Sequence, residues 1–270
     1  MFVKLYILLS IILDALFVYF NVDGKFTVWD IIIPILFLVA TFISFIVLHV
    51  LFVYICSLFI NKNKYCEKPS KFCKFWMDKT INLLFDVFRI KVIVDGIEKL
   101  PTDRRFLFVS NHRSNFDPLI CIDKLSKYNI AFISKPENFK LPIVGQFISR
   151  CCFLAIDREN ARNAMKTIHK ATDYVKNDIV SMAVYPEGTR SKTGELLDFK
   201  DGVFYIAKKV PCPIVVSTVK NTENAFKHII IKQTKVYLNI IDIIEPEEFV
   251  EMTTHEISNK VKEMMIQNLK

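Results

Sequence analysis

Glycine is scarce in this chain, six residues in 270, and no G-x-x-x-x-G-K loop occurs among them. That removes sequence support for a nucleotide site of the P-loop kind. No Gly/Ser linker, low-complexity tract or internal repeat divides the chain, so an array of small modules is excluded. The seven cysteines (Cys56, Cys66, Cys73, Cys121, Cys151, Cys152 and Cys212) include no C-x-x-C pair, and their number is odd. Such spacing fits neither a disulfide framework nor a zinc site; the expectation is small buried hydrophobes in a reducing compartment, with no metal. Cys66 and Cys73 are the weak candidates for palmitoylation. Charge is missing over long stretches. Ile31 to Ile60 carries none, with His49 its only basic side chain, and Met1 to Phe20 carries only Lys4 and Asp14.

Those two runs dominate the amino-terminal quarter of a chain that is 52% apolar. A bilayer core of about 30 Å needs about 20 helical residues, so both runs are long enough to cross it. The second, at about 45 Å if fully helical, must tilt, bend or emerge, and Pro34 is a place to bend. Asp14 would cost about 2.5 to 3.5 kcal/mol in hydrocarbon unless it faces a partner helix or water, so an interfacial first run is the alternative to a span. No small-x-small cleavage site follows, which predicts a retained anchor rather than a signal peptide. Lys62, Lys64, Lys68, Lys71 and Lys74 crowd the exit of the second run, whereas Asn21 to Asp30 has Lys25 against Asp23 and Asp30. The positive-inside rule then puts everything after residue 60 on the cytoplasmic face. The expected organisation is an anchor of two transmembrane helices over 1–60, a basic juxtamembrane linker over 61–75, and one α/β domain over 76–270. The net charge of +8 suits an anionic leaflet, and Lys71, Phe72, Lys74, Phe75 and Trp76 form an aromatic and basic collar for its interface. Nucleic acid is not an expected partner, because the basic residues are dispersed and no nucleic-acid module is evident.

Chemistry concentrates after two strand-like runs. Arg105 to Ser110 (RFLFVS) leads into Asn111-His112-Arg113-Ser114-Asn115-Phe116-Asp117-Pro118, where Pro118 favours a helix start and makes Asp117 a candidate N-cap. On a continuous helix, positions five apart would diverge by about 140°. A turn closing onto a helix removes that obstacle, so Asp117 can hold one ring nitrogen of His112 while the other takes a proton. The competing reading is a surface histidine beside an ordinary cap. Ile179 to Val184 (IVSMAV) leads into Tyr185-Pro186-Glu187-Gly188-Thr189-Arg190-Ser191, in which a glycine, two hydroxyls and a planar guanidinium suit an anion.

NHRSNFD and YPEGTRS, in this order and 75 residues apart from His112 to Glu187, resemble the glycerolipid acyltransferases, and most closely the 1-acylglycerol-3-phosphate O-acyltransferase family, over residues 75 to 260. Two weaker blocks resemble the same family: Lys135 with Leu141-Pro142-Ile143-Val144-Gly145 and Phe153 to Arg158, and Val210 to Val216. Cys151-Cys152 stands where the family usually has glycine, and Pro211 and Pro213 sit one residue closer than usual. The resemblance implies an α/β domain of the glycerolipid-acyltransferase kind, a single sheet with flanking helices behind the membrane-anchoring segment. It implies acyl transfer from a thioester to the sn-2 hydroxyl of lysophosphatidate, with His112 as base, Asp117 orienting it, and Glu187, Gly188, Thr189, Arg190, Lys135 and Arg158 about the acceptor phosphate. No cofactor is expected beyond the donor, acyl-CoA or acyl-carrier protein. The alternatives are another acceptor (glycerol 3-phosphate, another lysophospholipid or a lyso-aminolipid), a transacylase, or a catalytically idle scaffold.

Periodicity supplies the remaining elements: a helix over Trp76 to Phe88, a strand over Ile90 to Val94, an amphipathic helix over Asn160 to Lys176 with His169 and Lys170 solvated, and a last helix opened by Thr253 and Glu256 as a capping box.

Overall fold

The computed structural model describes residues 2–21, 27–62, 64, 66–227 and 232–269. Two long helices come first, α1 (Phe2–Asn21) and α2 (Trp29–Leu58), the latter running unbroken through Pro34. The rest alternates as α3 (Lys71–Val87), β1 (Ile90–Asp95), β2 (Leu107–Ser110), α4 (Asp117–Lys124), β3 (Ile130–Ser134), α5 (Val144–Arg150) and β4 (Leu154–Ala155). It continues with α6 (Ala161–Lys176), β5 (Ser181–Val184), α7 (Tyr205–Lys209), β6 (Ile214–Lys220), β7 (Thr234–Ile244) and α8 (Thr254–Leu269).

The strands form one seven-stranded sheet in the order β1-β7-β6-β2-β5-β3-β4. β6, β2, β5, β3 and β4 run parallel, while β7 is antiparallel to β6 and parallel to β1. The central strands are apolar at consecutive positions, as burial on both faces requires: Leu107, Phe108, Val109, Met182, Ala183, Ile214, Val215 and Val216 are all sealed from solvent. α8 opens as expected, Thr253 N–H donating to Glu256 and Glu256 N–H to Thr253 Oγ1, and it buries Ile257, Val261 and Met265. On α6, Ile168, Thr172 and Val175 reach the core, but Ala161 and Met165 at its start are exposed.

α1 and α2 are each long and apolar enough to cross a bilayer. They pack on one another through Phe17 on Phe37, rings 4.6 Å apart, and Tyr6 on Phe45, 5.5 Å apart. Ser10 and Asp14 continue the stripe set by Tyr6 and Phe17, and Asp14 Oδ1 is sealed from solvent, so the acid lies on the helix-facing side. His49 joins the pair to the domain: its Nδ1 meets the Tyr6 hydroxyl at 2.9 Å and its Nε2 the Thr80 hydroxyl of α3 at 3.1 Å. Trp76 packs in the same corner, against Phe52 and Phe2.

Three expectations are corrected here. Cys66 and Cys152 form a disulfide across 86 residues, a pairing that local spacing cannot reveal because only the fold brings the linker to the end of α5. Lys74 leaves the expected collar and turns inward, donating to Asn129 Oδ1 at 2.5 Å, while Phe72 and Phe75 stay exposed. The third concerns α3, which begins at Lys71 under a Ser70 cap and so takes in the last residues of the expected linker.

Candidate active site

The connection after β2 leads towards β3 on one side, while the one after β5 leads to β6 on the other. The crevice between the carboxyl ends of β2 and β5 is therefore a switch point, where open parallel sheets leave room for a ligand. His112 follows β2 and Tyr185 follows β5 at this place.

Asn111 fixes the end of β2. Its buried side-chain amide donates to Val219 O and accepts from Val219 N–H at 2.7 Å, pairing with β6 as a strand residue would. The chain then turns, and the Asp117 carboxylate closes the turn. Its Oδ2 accepts from His112 Nδ1 at 2.8 Å and from the backbone N–H groups of Arg113 and Ser114, each at 2.7 Å. Asp117 is fully buried, whereas the His112 side chain keeps 16% of its surface exposed. A carboxylate that accepts two backbone donors is an acceptor towards the imidazole as well. The proton therefore sits on Nδ1 and the Nε2 lone pair is free.

Asp117 is not the expected N-cap. It is the first residue of α4, Phe116 holds the cap position without a side-chain bond, and the carboxylate reaches back to N–H groups that precede the helix. The reason is competition: the turn supplies two amides and a ring N–H nearer than the amides of the helix itself.

The second motif wraps the first. Glu187 is buried, and its two oxygens accept from His112 N–H at 2.6 Å and from Leu197 N–H at 3.0 Å. Burial pushes its carboxyl above the usual range, and those two donors partly offset the shift. Ser191 N–H donates to His112 O at 2.8 Å, which brings Gly188, Thr189 and Arg190 alongside the histidine turn. Gly188 has φ +68°, the left-handed region, so glycine is needed at that bend. Thr189 and Arg190 are exposed. Arg113 Nη2 donates to Glu223 at 2.9 Å and lies against Gly194, where an added Cβ would sit 2.8 Å from it.

Lys135 and Arg158 follow β3 and β4, whose ends pair in register at Ser134 and Ala155. Both side chains are exposed on the carboxyl side of the sheet. β3 is the second strand from β2, about 10 Å across the sheet at ordinary strand spacing, so this pair flanks the histidine turn rather than touching it. The glycine position that Cys152 replaces has φ +63°, which explains why glycine suits it.

Sequence reasoning missed the Asn111 clamp, the Arg113 to Glu223 link and a ring stack: the Tyr185 ring lies 4.3 Å from that of His112 with 14° between their planes. The aromatic at the head of YPEGTRS was the one available signal for the stack.

Residues 91–220 match the acyltransferase family. The chain is 28% identical over 185 residues to 1-acyl-sn-glycerol-3-phosphate acyltransferase of Saccharomyces cerevisiae, covering 67% of this chain and 60% of that one. It is 32% identical over 182 residues to the chloroplastic 1-acyl-sn-glycerol-3-phosphate acyltransferase of Brassica napus, covering 67% and 51%. The matched region thus spans little more than half the length of these relatives. The crystal structure of the 1-acyl-sn-glycerophosphate acyltransferase PlsC from Thermotoga maritima superposes with a TM-score of 0.62 at 27% identity, covering 81% of this chain and 86% of that one. Both motifs converge on one crevice, and both lie within residues 91–220, the part of the chain that matches the acyltransferase family.

Proposed function

We propose that this chain is a 1-acyl-sn-glycerol-3-phosphate acyltransferase, moving a fatty acyl group from a thioester to the sn-2 hydroxyl of lysophosphatidate to give phosphatidate. The observation that carries the reading is the His112 to Asp117 contact at 2.8 Å, which leaves Nε2 free at the switch point of the sheet. As the acceptor oxygen attacks the thioester carbonyl, Nε2 takes the hydroxyl proton. The tetrahedral centre collapses, the C–S bond breaks, and the imidazolium returns the proton to the departing thiolate. Asp117 holds the ring tautomer and balances the imidazolium charge. Arg190, with Gly188 and Thr189, meets the acceptor phosphate, and Lys135 and Arg158 extend the positive field across the sheet. Glu187, whose oxygens are taken by backbone amides, acts as a bracket between the two motifs rather than as a phosphate contact. The donor is acyl-CoA or acyl-carrier protein, both anionic partners for a chain of charge +8. The same reading makes α1 and α2 a membrane anchor that keeps the site at the cytoplasmic face, supported by the outward-facing apolar side chains of both helices and the lysines after α2.

The test is acyl transfer by purified wild type and His112→Ala, with lysophosphatidate, glycerol 3-phosphate and other lysophospholipids as acceptors and both donors supplied. Loss of the base should lower the rate by about 10² to 10⁴, equivalent to about 3 to 5 kcal/mol of barrier. Equal rates would remove His112 from the chemistry, and transfer to a different acceptor alone would replace lysophosphatidate as the substrate.

A further inference from the structure

A single hydrogen bond fixes one atom of an imidazole and leaves its plane free, because the histidine χ2 torsion is broad. The bond from Nδ1 to Asp117 therefore cannot by itself aim Nε2. Tyr185 supplies the missing constraint. Its ring lies nearly parallel to the imidazole, 4.3 Å away, and stacks in turn on Phe132, with centroids 5.6 Å apart and planes 21° apart. Phe132 meets Phe153 in turn at 5.6 Å. This column starts at the active-site histidine and crosses from β5 to β3, ending at β4. The Tyr185 hydroxyl is sealed from solvent and has no oxygen or nitrogen partner among the described residues. It faces the thiol of Cys121, fully buried on α4, the helix whose first residue is Asp117. One side chain thus touches the base through its ring and the helix carrying the orienting acid through its hydroxyl.

We propose that Tyr185 is a positioning residue for the general base, its ring fixing the plane of His112 so that the Nε2 edge, not the ring face, meets the acceptor hydroxyl. The inference rests on the acyl-transfer reading for its kinetic consequence but not for its geometry. Displacement of a reacting group by about 1 Å can cost 10²-fold in rate, so loss of the plane should appear in kcat. Hydrogen bonding by the phenol is not required, since its hydroxyl finds only a thiol.

The experiment uses the full chain in detergent, ¹³C-labelled at histidine. His112 ring resonances are identified by comparison with His112→Gln, and kinetics are run with lysophosphatidate and acyl-CoA. Tyr185→Phe should keep kcat within about threefold and the His112 ring resonances in place. Tyr185→Leu should lower kcat about tenfold or more with an unchanged KM for lysophosphatidate, and should remove the ring-current displacement of His112. Phe132→Leu, which opens the column one ring further away, should lower the melting temperature yet leave both readouts alone. If Tyr185→Leu fails to fold, the unbranched Tyr185→Met carries the same expectation. The proposal is overturned if the leucine or methionine variant keeps kcat within about twofold, if kcat falls while the His112 resonances stay in place, or if Tyr185→Phe falls as far as Tyr185→Leu. The resonance measurement needs no substrate. A wild type inactive on lysophosphatidate that still shows the displaced His112 resonances would therefore count against the proposed acceptor and not against the stack.

Discussion

Three side chains assemble the histidine turn, and each does so by taking backbone groups as partners. Asp117 accepts two amides besides the imidazole, Asn111 pairs with Val219, and Glu187 joins His112 N–H to Leu197 N–H. A loop cannot bury its amides without such partners, so these polar residues replace the missing strand ladder. Glu187 is the sharpest case, because both of its oxygens are acceptors and only a carboxylate offers two. In Glu187→Gln the side-chain NH₂ must face one of the two backbone N–H groups, leaving a buried donor unpaired. The variant should lose about 1 to 3 kcal/mol of stability, read as a fall in urea midpoint, together with a lower kcat. A variant as stable as wild type would show that the bracket is dispensable and return Glu187 to the substrate.

Among the elements, α3 carries two partly buried ionisable side chains, Lys74 and Asp78. It packs between the amino-terminal helices and the domain, and burial pushes its Asp78 carboxyl up to about 6, with Lys74 nearby partly opposing the shift. Burial also pushes the Lys74 ammonium below its usual range. Because the folded carboxyl binds its proton more tightly than an unfolded aspartate at about 3.9, the native state holds more protons between roughly pH 4 and pH 6. Stability supplied by the protonated acid is therefore full below about pH 4 and is lost as the pH rises towards 6. Asp78→Asn should raise the stability at pH 7.5 by no more than about 1 kcal/mol given the partial exposure of the group, read as a higher melting temperature, and should change little at pH 4. A variant no more stable than wild type at pH 7.5 would mean that Lys74 compensates the burial in full. α5 shows a steric counterpart: at Gly145, where it packs on the preceding turn, an added Cβ would fall 2.2 Å from Phe139 O. Glycine at that place in the Leu141 to Gly145 block is a packing requirement.

The whole molecule joins a helical pair whose outward side chains are apolar to a sheet domain whose site lies at the carboxyl ends of its central strands, and His49 and Trp76 form the seam between them. Surface of that character on two adjacent helices has a favourable environment in lipid and not in water. Alkaline carbonate washing of membranes should leave the chain in the pellet, and its release would remove the anchor from the proposal. The Cys66 to Cys152 bond ties the segment after α2 to the domain a second time. Alkylation of unfolded, unreduced protein should count five thiols, rising to seven after reduction. Seven from the start would leave Cys66 and Cys152 as a packed thiol pair, consistent with the reducing compartment that their spacing suggested.

The amino-acid order alone determined what depends on neighbours along the chain. The two apolar helices, the capping box at Thr253, the strands before each motif and the candidate roles of His112 and Asp117 all rest on periodicity or local turn chemistry. Only the tertiary structure decided which motif faces which. The placement of β5 beside β2 sets Tyr185 against His112 and turns Glu187 inward, and it leaves Lys135 and Arg158 at the flank. The Cys66 to Cys152 pairing and the inward turn of Lys74 were equally hidden. The physical reason is that a sheet orders its strands by long-range pairing, and residues 75 or 86 positions apart carry no local signal of the partner they will meet.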